Sequence, residues 1–191
     1  LRLELGYPDP TSLPGNVQGM TVAQVQANPT IKQALQARFT THLTYDGHGN
    51  LTSRLDGEGN LSTYTYDPLT NKLTSETAAQ GHALVTLDTP EIQQQRQGLG
   101  YSSTLAQLLQ HPNEIQALLA LYTTTYVYST DGKQNLTDIQ GPGGRLTHFT
   151  YDALGNLKTK TVSTDLTDPT NPAKQLLTQY TYDAWGNLKT S

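Results

Sequence analysis

The sequence predicts a mainly β fold, an antiparallel meander of hairpins that forms a curved or spiralling sheet and carries two inserted helical pairs. Three observations predict it. A turn motif built on Asp, Gly, Asn and Leu recurs at steps of 10 and 11 residues. Tyrosine, with 11 copies against 2 Phe and 1 Trp, and threonine dominate the segments between the turns, and both residues favour strands that are half buried and half wet. A second periodicity of 83 residues repeats a helical pattern followed by the same meander.

The turns come first in the argument because they set the strand lengths. Aligned on their first residue they read DGHGNL (46–51), DGEGNL (56–61), DPLTNKL (67–73), DGKQNL (131–136), GPGGRL (141–146), DALGNL (152–157) and DAWGNL (183–188). The aspartates at Asp46, Asp56, Asp67, Asp131, Asp152 and Asp183 open each turn by accepting from backbone groups two residues on. Gly49, Gly59, Gly155 and Gly186 supply a positive φ, and Asn50, Asn60, Asn71, Asn135, Asn156 and Asn187 tolerate the left-handed region. Leu then begins the next strand, and the roughly five residues between turns are an ordinary strand length. In TYTY (63–66), alternation puts Tyr64 and Tyr66 on one face and Thr63 and Thr65 on the other, with Leu61 out of phase unless a bulge intervenes.

The longer repeat lays residues 21–45 over 104–128. Thr21 with Gln24, and Thr104 with Gln107, make a capping box, while Pro29 and Pro112 sit where a second helix begins. Ile31, Ala34, Leu35 and Phe39 form one apolar stripe; Ile115, Leu118, Leu119 and Tyr122 form the other. The chain thus reads as one array segment over 1–191, with helical pairs at 21–39 and 103–122 and meanders at 43–88 and 124–191. Both pairs are expected to cover equivalent places on the sheet; a partner-binding stripe is the competing reading.

Paired Tyr-Asp followed by Gly-Asn-Leu, with a 21-residue double step from Tyr45 to Tyr66, resembles the YD repeat of RHS-repeat proteins, among them bacterial Rhs toxins, the B and C subunits of insecticidal Tc toxins, and teneurins. The resemblance covers about residues 43–77 and 124–191. It implies a sheet that spirals into a hollow shell around a cargo domain, so the expected partners are the rest of a longer shell and its enclosed cargo. The expected setting is secreted or extracellular, as part of a bacterial toxin or surface protein. Spacing alone is equally compatible with a flat sheet or a solenoid. A self-cleaving Asp-Pro-x-Gly motif of Rhs toxins is not carried over, because Asp67-Pro68-Leu69 is followed by Thr70 and Asp168-Pro169-Thr170 by Asn171.

Composition excludes several functions. The net charge is −4 and the twelve Lys and Arg are scattered, which argues against nucleic acid. No stretch approaches the roughly 20 apolar residues of a membrane helix. The absence of cysteine excludes disulfides and thiol chemistry. Starting at Leu1, the chain reads as an excised or processed piece. The histidines (His42, His48, His82, His111, His148) lack ligand spacing, DGHGN and DGEGN lack the acid ladder of a calcium loop, and no nucleophile or nucleotide motif is present. No catalytic residue, metal or cofactor is therefore expected, and the chain reads as non-catalytic. The segment 164–174 reads as a polar loop lengthening one hairpin. A second function class remains open: a carbohydrate-binding or adhesive module with Tyr64, Tyr66, Tyr151, Tyr180, Tyr182 and Trp185 as stacking platforms. Exposure of those rings distinguishes the two.

Overall fold

A computed structural model describes residues 20–38, 40–57, 59–164, 168 and 170–190. The chain divides into two compact units, one running to His42 and including Asp56–Gly59, the other made of Leu43–Leu55 and the residues from Asn60 onward. The first unit contains α1 (Val22–Ala27) and α2 (Pro29–Arg38). Thr21 caps α1 by accepting from the Gln24 N–H at 3.3 Å, and the Gln24 side chain accepts from the Thr21 N–H at 2.7 Å. Asn28 then accepts from the Ile31 N–H at 3.2 Å and starts α2.

Strands β1 (His42–Tyr45), β2 (Leu51–Leu55), β3 (Leu61–Tyr66), β4 (Leu73–Thr77), β5 (Thr123–Tyr128), β6 (Leu136–Gln140), β7 (Leu146–Tyr151), β8 (Leu157–Ser163) and β9 (Gln175–Gln179) form one nine-stranded sheet in sequence order. Pairing is antiparallel at every step from β2 to β9. β10 (Thr181–Tyr182) and β11 (Leu188–Thr190) form a further antiparallel hairpin. The architecture is the antiparallel meander that the turn spacing predicts.

Bulges do occur, though outside β3. Each sits one residue after the leucine that leaves a Tyr-Asp turn: Tyr66 faces Leu73 while Thr65 faces Ser75, and the same slip recurs at Tyr128–Leu136, Tyr151–Leu157 and Tyr182–Leu188. Leu61 stays on the face opposite Tyr64 and Tyr66, because the phase change belongs to the strand after the turn. Two of the bulged residues satisfy the locally broken ladder themselves. The Thr74 hydroxyl donates to the Thr65 carbonyl at 3.1 Å, and that of Thr137 to the Val127 carbonyl at 3.2 Å.

The meander read over 43–88 is shorter than the sequence suggests. Its strands end at Thr77, and residues 78–122 form a four-helix insert between β4 and β5: α3 (Ala79–Thr86), α4 (Pro90–Gly98), α5 (Leu105–Leu108) and α6 (Pro112–Ala120). The chain enters and leaves the insert at one point, where the Ala78 N–H donates to the Tyr122 carbonyl at 3.0 Å. Helices α3 and α4 are additional to the two expected pairs. For α4 the signal was present in Thr89, which accepts from the Ile92 N–H at 3.4 Å, and in Pro90 in the first turn. For α3 there is no side-chain cap, and burial rather than propensity makes the helix.

The insert holds the fully buried apolar side chains among the described residues: Leu84, Leu108 and Leu118, each 0% exposed. Val85, Ile92, Tyr101, Leu105, Ile115, Leu121 and Tyr122 close around them. Gly81 brings α3 against Tyr122, since a Cβ at Gly81 would lie 2.9 Å from the Tyr122 Cβ. Arg96 is also fully buried; it pairs with Asp88 at 2.6 Å and donates to the Leu87 carbonyl at 3.1 Å, while Asp88 accepts from the Leu105 N–H at 2.8 Å. That pair ties the turn before α4 to the start of α5.

The two copies of the helical pattern therefore differ in burial. Leu118 is fully buried, whereas its counterpart Leu35 is half-buried. Leu118→Ala is expected to lose about 2–5 kcal/mol and Leu35→Ala clearly less. Gly81→Ala, despite a gain of roughly 1 kcal/mol in helix propensity, is expected to be destabilising because the added methyl overpacks against Tyr122. Urea unfolding of the three variants checks the order; a Gly81→Ala protein more stable than the parent would show that α3 has room to shift.

Candidate functional site

The chemistry-bearing residues of the repeat converge on the turns and on the strand ends beside them. Asp46, Asp152 and Asp183 build one five-residue loop three times. In each, the Asp N–H donates to the Asn carbonyl four residues on (3.0, 2.9 and 2.9 Å), and the Gly N–H donates back to the Asp carbonyl at 3.1 Å. The carboxylate closes the loop from inside. Its Oδ1 accepts from His48, Leu154 or Trp185 N–H and from Asn50, Asn156 or Asn187 N–H, all at 2.9 Å. Its Oδ2 accepts from the Asn side-chain amide at 2.9–3.0 Å. Gly49, Gly155 and Gly186 take φ of +85°, +88° and +82°, where a side chain is strained.

Variant loops keep the shape with other atoms. At Asp67 the loop is one residue longer: the Asp67 N–H reaches the Lys72 carbonyl at 2.8 Å, Thr70 donates backbone and hydroxyl to the carboxylate, and Asn71 takes the positive φ of +56°. At Asp131 two extra residues move the closure to Ser129, whose N–H donates to the Asn135 carbonyl at 2.7 Å and whose hydroxyl accepts from the Asn135 N–H. Gly141–Arg145 closes on backbone alone at 2.8 Å. In the Asp56 turn, Gly59 has φ +88° and donates to the Asp56 carbonyl at 3.0 Å; Asn60 follows it at the start of β3.

The same hydrogen bonds hold the carboxyls of Asp46, Asp152 and Asp183 below their ordinary range, the Asn amide being the largest cause and the backbone N–H of the same Asn the next. Three of the roughly four acceptor sites of each carboxylate are used within the loop. Among the described residues no group of three or more His, Asp or Glu is placed to hold a metal ion.

The tyrosines of the motif form a second system. Tyr128, Tyr151 and Tyr182 donate their hydroxyls to the backbone carbonyls of Leu73 (2.9 Å), Leu136 (2.7 Å) and Leu157 (2.9 Å). Each acceptor is the leucine that opens the neighbouring strand, and each such leucine pairs with the preceding motif tyrosine. A continuous row results: Tyr66, Leu73, Tyr128, Leu136, Tyr151, Leu157, Tyr182, Leu188, running from β3 to β8 of the sheet and on to the β10–β11 hairpin. Burial raises the phenol pKa of Tyr128 and Tyr151. Tyr126, half-buried and bonded to Glu76 at 2.8 Å, is pushed up to about 12 by desolvation and then by that bond. Tyr126, Tyr128 and Glu76 lay outside the residues singled out from sequence; the signal was their place in TTTYVY, one repeat after TYTY.

Of the six rings set out as stacking platforms, Tyr64, Tyr66, Tyr151, Tyr180 and Tyr182 are half-buried and Trp185 is 86% exposed at its loop tip. The sheet brings the tyrosines of the motif together in the row but leaves Trp185 beyond it, in the position two residues after Asp that Leu154 (86% exposed) and Leu69 (91% exposed) occupy in other loops. A cleft of about 370 Å³ beside α6 is lined by Gln116, Leu119, Thr123, Thr125 and Gln140 among others, without an acid, base or aromatic ring. His148 bonds Asp138 at 2.7 Å on an exposed strand pair, and His82 bonds Thr63 at 2.9 Å, its pKa lowered by burial. No helix among the described residues is long and apolar enough to cross a membrane.

Two predictions follow the geometry. Tyr151→Phe leaves the Leu136 carbonyl without its phenol donor while keeping the ring, and is expected to lose about 0.5–1.5 kcal/mol by chemical denaturation; a neutral result would mean that water replaces the hydroxyl without cost. The depressed aspartate pKa values bind fewer protons in the folded than in the unfolded chain, so their stabilisation is present above the unfolded pKa of about 3.9 and is lost as pH falls through the folded values. The melting temperature measured against pH is expected to fall steeply below about pH 4, and to fall less in an Asp46→Asn, Asp152→Asn, Asp183→Asn protein, which starts lower at neutral pH.

Comparison with known proteins bears on these turns directly. Residues 45–83 and 128–168 match the family model of the RHS repeat. Among solved structures the chain is similar to those described as TcdB2-TccC3-Cdc42, TcdB2-TccC3, and TcdB2-TccC3 without its hypervariable C-terminal region, in each case at 16% identity and a TM-score of 0.44 over 78% of this chain. It spans 5% of the length of those chains. Among curated proteins it has no match. The two matched segments, which together contain the motif turns at Asp46, Asp56, Asp67, Asp131 and Asp152, are similar to RHS repeats.

Proposed function

We propose that this chain is a non-catalytic structural segment of an RHS-type β-shell that encloses a toxin or effector cargo, within a secreted bacterial toxin or surface protein. Its partners on this reading are the rest of the shell wall and the cargo domain. The observation that carries it is where the motif's polar groups go. The carboxylate and amide of the Asp46, Asp152 and Asp183 loops bond each other, and the phenols of Tyr128, Tyr151 and Tyr182 bond the backbone of an earlier strand. A motif whose bonding is turned inward serves to make more sheet, and repetition makes a wall.

One observation favours a second reading, a secreted carbohydrate-binding or adhesive module: Trp185 presents its ring to solvent at 86% exposure. Sugar stacking needs such an open ring. Half-buried Tyr64, Tyr66, Tyr151, Tyr180 and Tyr182 offer less.

Electron microscopy of the full-length polypeptide, combined with limited proteolysis, tests the shell. The expected result is a hollow particle with residues 43–190 in its wall and a domain that proteases reach only after the wall is unfolded. An extended or solid particle would refute the enclosure. Glycan binding that disappears in Trp185→Ala would transfer the function to the second reading.

A further inference from the structure

The position opposite Tyr64 is not fixed by the repeat. Hairpins β3–β4 and β7–β8 share their register: Tyr66 faces Leu73 as Tyr151 faces Leu157, and Thr65 faces Ser75 as Thr150 faces Thr159. One step on, Tyr64 faces Glu76 whereas Phe149 faces Lys160, and in β5–β6 Tyr126 faces Ile139. An acid, a base and an aliphatic side chain all serve the sheet at that place, so strand pairing does not require the carboxylate of Glu76.

Register places Tyr64 on one side of Glu76 and Thr124 on the other, with Ser62 and Tyr126 two residues from these on the same face. Thr63, which bonds His82 of α3, belongs to the opposite face, so α3 meets the sheet on the other side. A cleft of about 250 Å³ is lined by Ser62, Tyr64, Glu76, Tyr122, Thr124 and Pro142 among others, and Glu76 is the one charged residue of its described lining. The carboxylate is half-buried, and its Oε1 accepts from the Tyr126 phenol at 2.8 Å. Among the described residues the ion pairs are Asp88–Arg96 and Asp138–His148, and no basic group pairs with Glu76. Arg54, opposite Ser62, is exposed and stands outside both pairs. The hydroxyls of Ser62, Tyr64 and Thr124 have no hydrogen-bond partner among the described residues. A half-buried carboxylate without a counter-charge is costly, and here the repeat gives no reason for it.

We propose that this cleft binds a primary alkylammonium group, with Glu76 as its counter-charge and Tyr64 as its aromatic wall. Because Tyr126 holds Oε1, one carboxylate oxygen is left to accept. An ammonium, a compact charge with three donors, needs only one, whereas a guanidinium binds best to both oxygens at once. Its other N–H groups have the hydroxyls of the lining as acceptors. An alkyl stem packs along Tyr64, Tyr122 and Pro142, and a tyrosine face attracts a cation. Glu76, with no base beside it in the described lining, disfavours an anion. The ammonium belongs to a free alkylamine or to a lysine side chain of another polypeptide, and the chemistry at the cleft is the same for both.

The test is a titration of the isotope-labelled full chain with n-butylammonium, followed by NMR at the backbone amides of Glu76 and Thr124. Saturable shifts with a dissociation constant on the order of 1 mM are expected, the strength that a few polar contacts give so small a ligand. Butanol, the neutral counterpart, is expected to give none. Glu76→Gln keeps an acceptor for the Tyr126 phenol but removes the charge, and is expected to weaken binding by about tenfold or more. Absence of saturable shifts overturns the proposal, as does equal binding of butanol or equal binding by Glu76→Gln. Binding that appears only in Arg54→Ala also overturns it, by making Arg54 the occupant. Should Glu76→Gln lose the native spectrum, the butanol comparison on the parent chain decides. A short lysine peptide, set against the same peptide with norleucine, separates the two sources. Tighter binding than butylammonium assigns the ammonium to a polypeptide and equal or weaker binding to a free amine, and either order supports the site.

Discussion

The structure depends on the closed Asp-x-x-Gly-Asn loop. Five residues reverse the chain with their backbone and side-chain polar groups bonded to one another, and the glycine is there because the reversal needs a positive φ that other residues adopt at a cost. The loop fixes register as well as direction. The turns at Asp67, Asp131, Asp152 and Asp183 are each followed by a one-residue bulge, so the leucine leaving the turn comes to face the tyrosine entering it, whereas the turn at Asp56 keeps a plain register with Leu61 facing Leu55. Without that slip the leucine and tyrosine would fall out of step, and every later side chain of the strand would point to the other face.

From this register the tyrosine row follows. A tyrosine placed opposite one leucine has its hydroxyl within reach of the carbonyl of another on the far side, so each strand end is tied to both neighbours. The ties span 55, 15 and 25 residues of sequence and 2.7–2.9 Å of space. Those unequal separations come from the opposite ends of the strands, where β4 and β5 are joined by the helical insert, β6 and β7 by the tight Gly141–Arg145 turn, and β8 and β9 by residues 164–174. Alternate turns of a meander lie on the same side, so one side is constrained and the other accepts additions. An insert whose ends meet in a single hydrogen bond between Ala78 and Tyr122 leaves the strand pairing intact.

The distribution of burial fits a sheet built to be extended. Fully buried apolar side chains among the described residues sit in the helical insert, while the strands from β2 to β8 are largely half-buried on both faces, β1 is exposed, and cross-strand pairs such as Thr77–Thr123 at 2.8 Å hold neighbours together. A sheet that is two-sided in this way needs polar, strand-forming residues more than a closed core, which is why Thr and Tyr replace Val and Phe in its composition.

Local chemistry was legible in the sequence wherever neighbours in the chain are neighbours in space. The Asp, Gly and Asn of each turn, both capping boxes, the prolines at helix starts and the meander itself are i to i+4 relations, and a motif repeated several times averages out accident. Tertiary packing decided the rest. Helix α3 has a glycine in its first turn and no cap, and exists because Leu84 is covered by Leu108 and Leu118 from 24 and 34 residues away. The phenol of Tyr151 points to a carbonyl on a strand that periodicity cannot choose. Leu35 and Leu118 share one pattern and differ in burial, since a stripe records that a side chain wants cover and only the neighbouring chain can provide it.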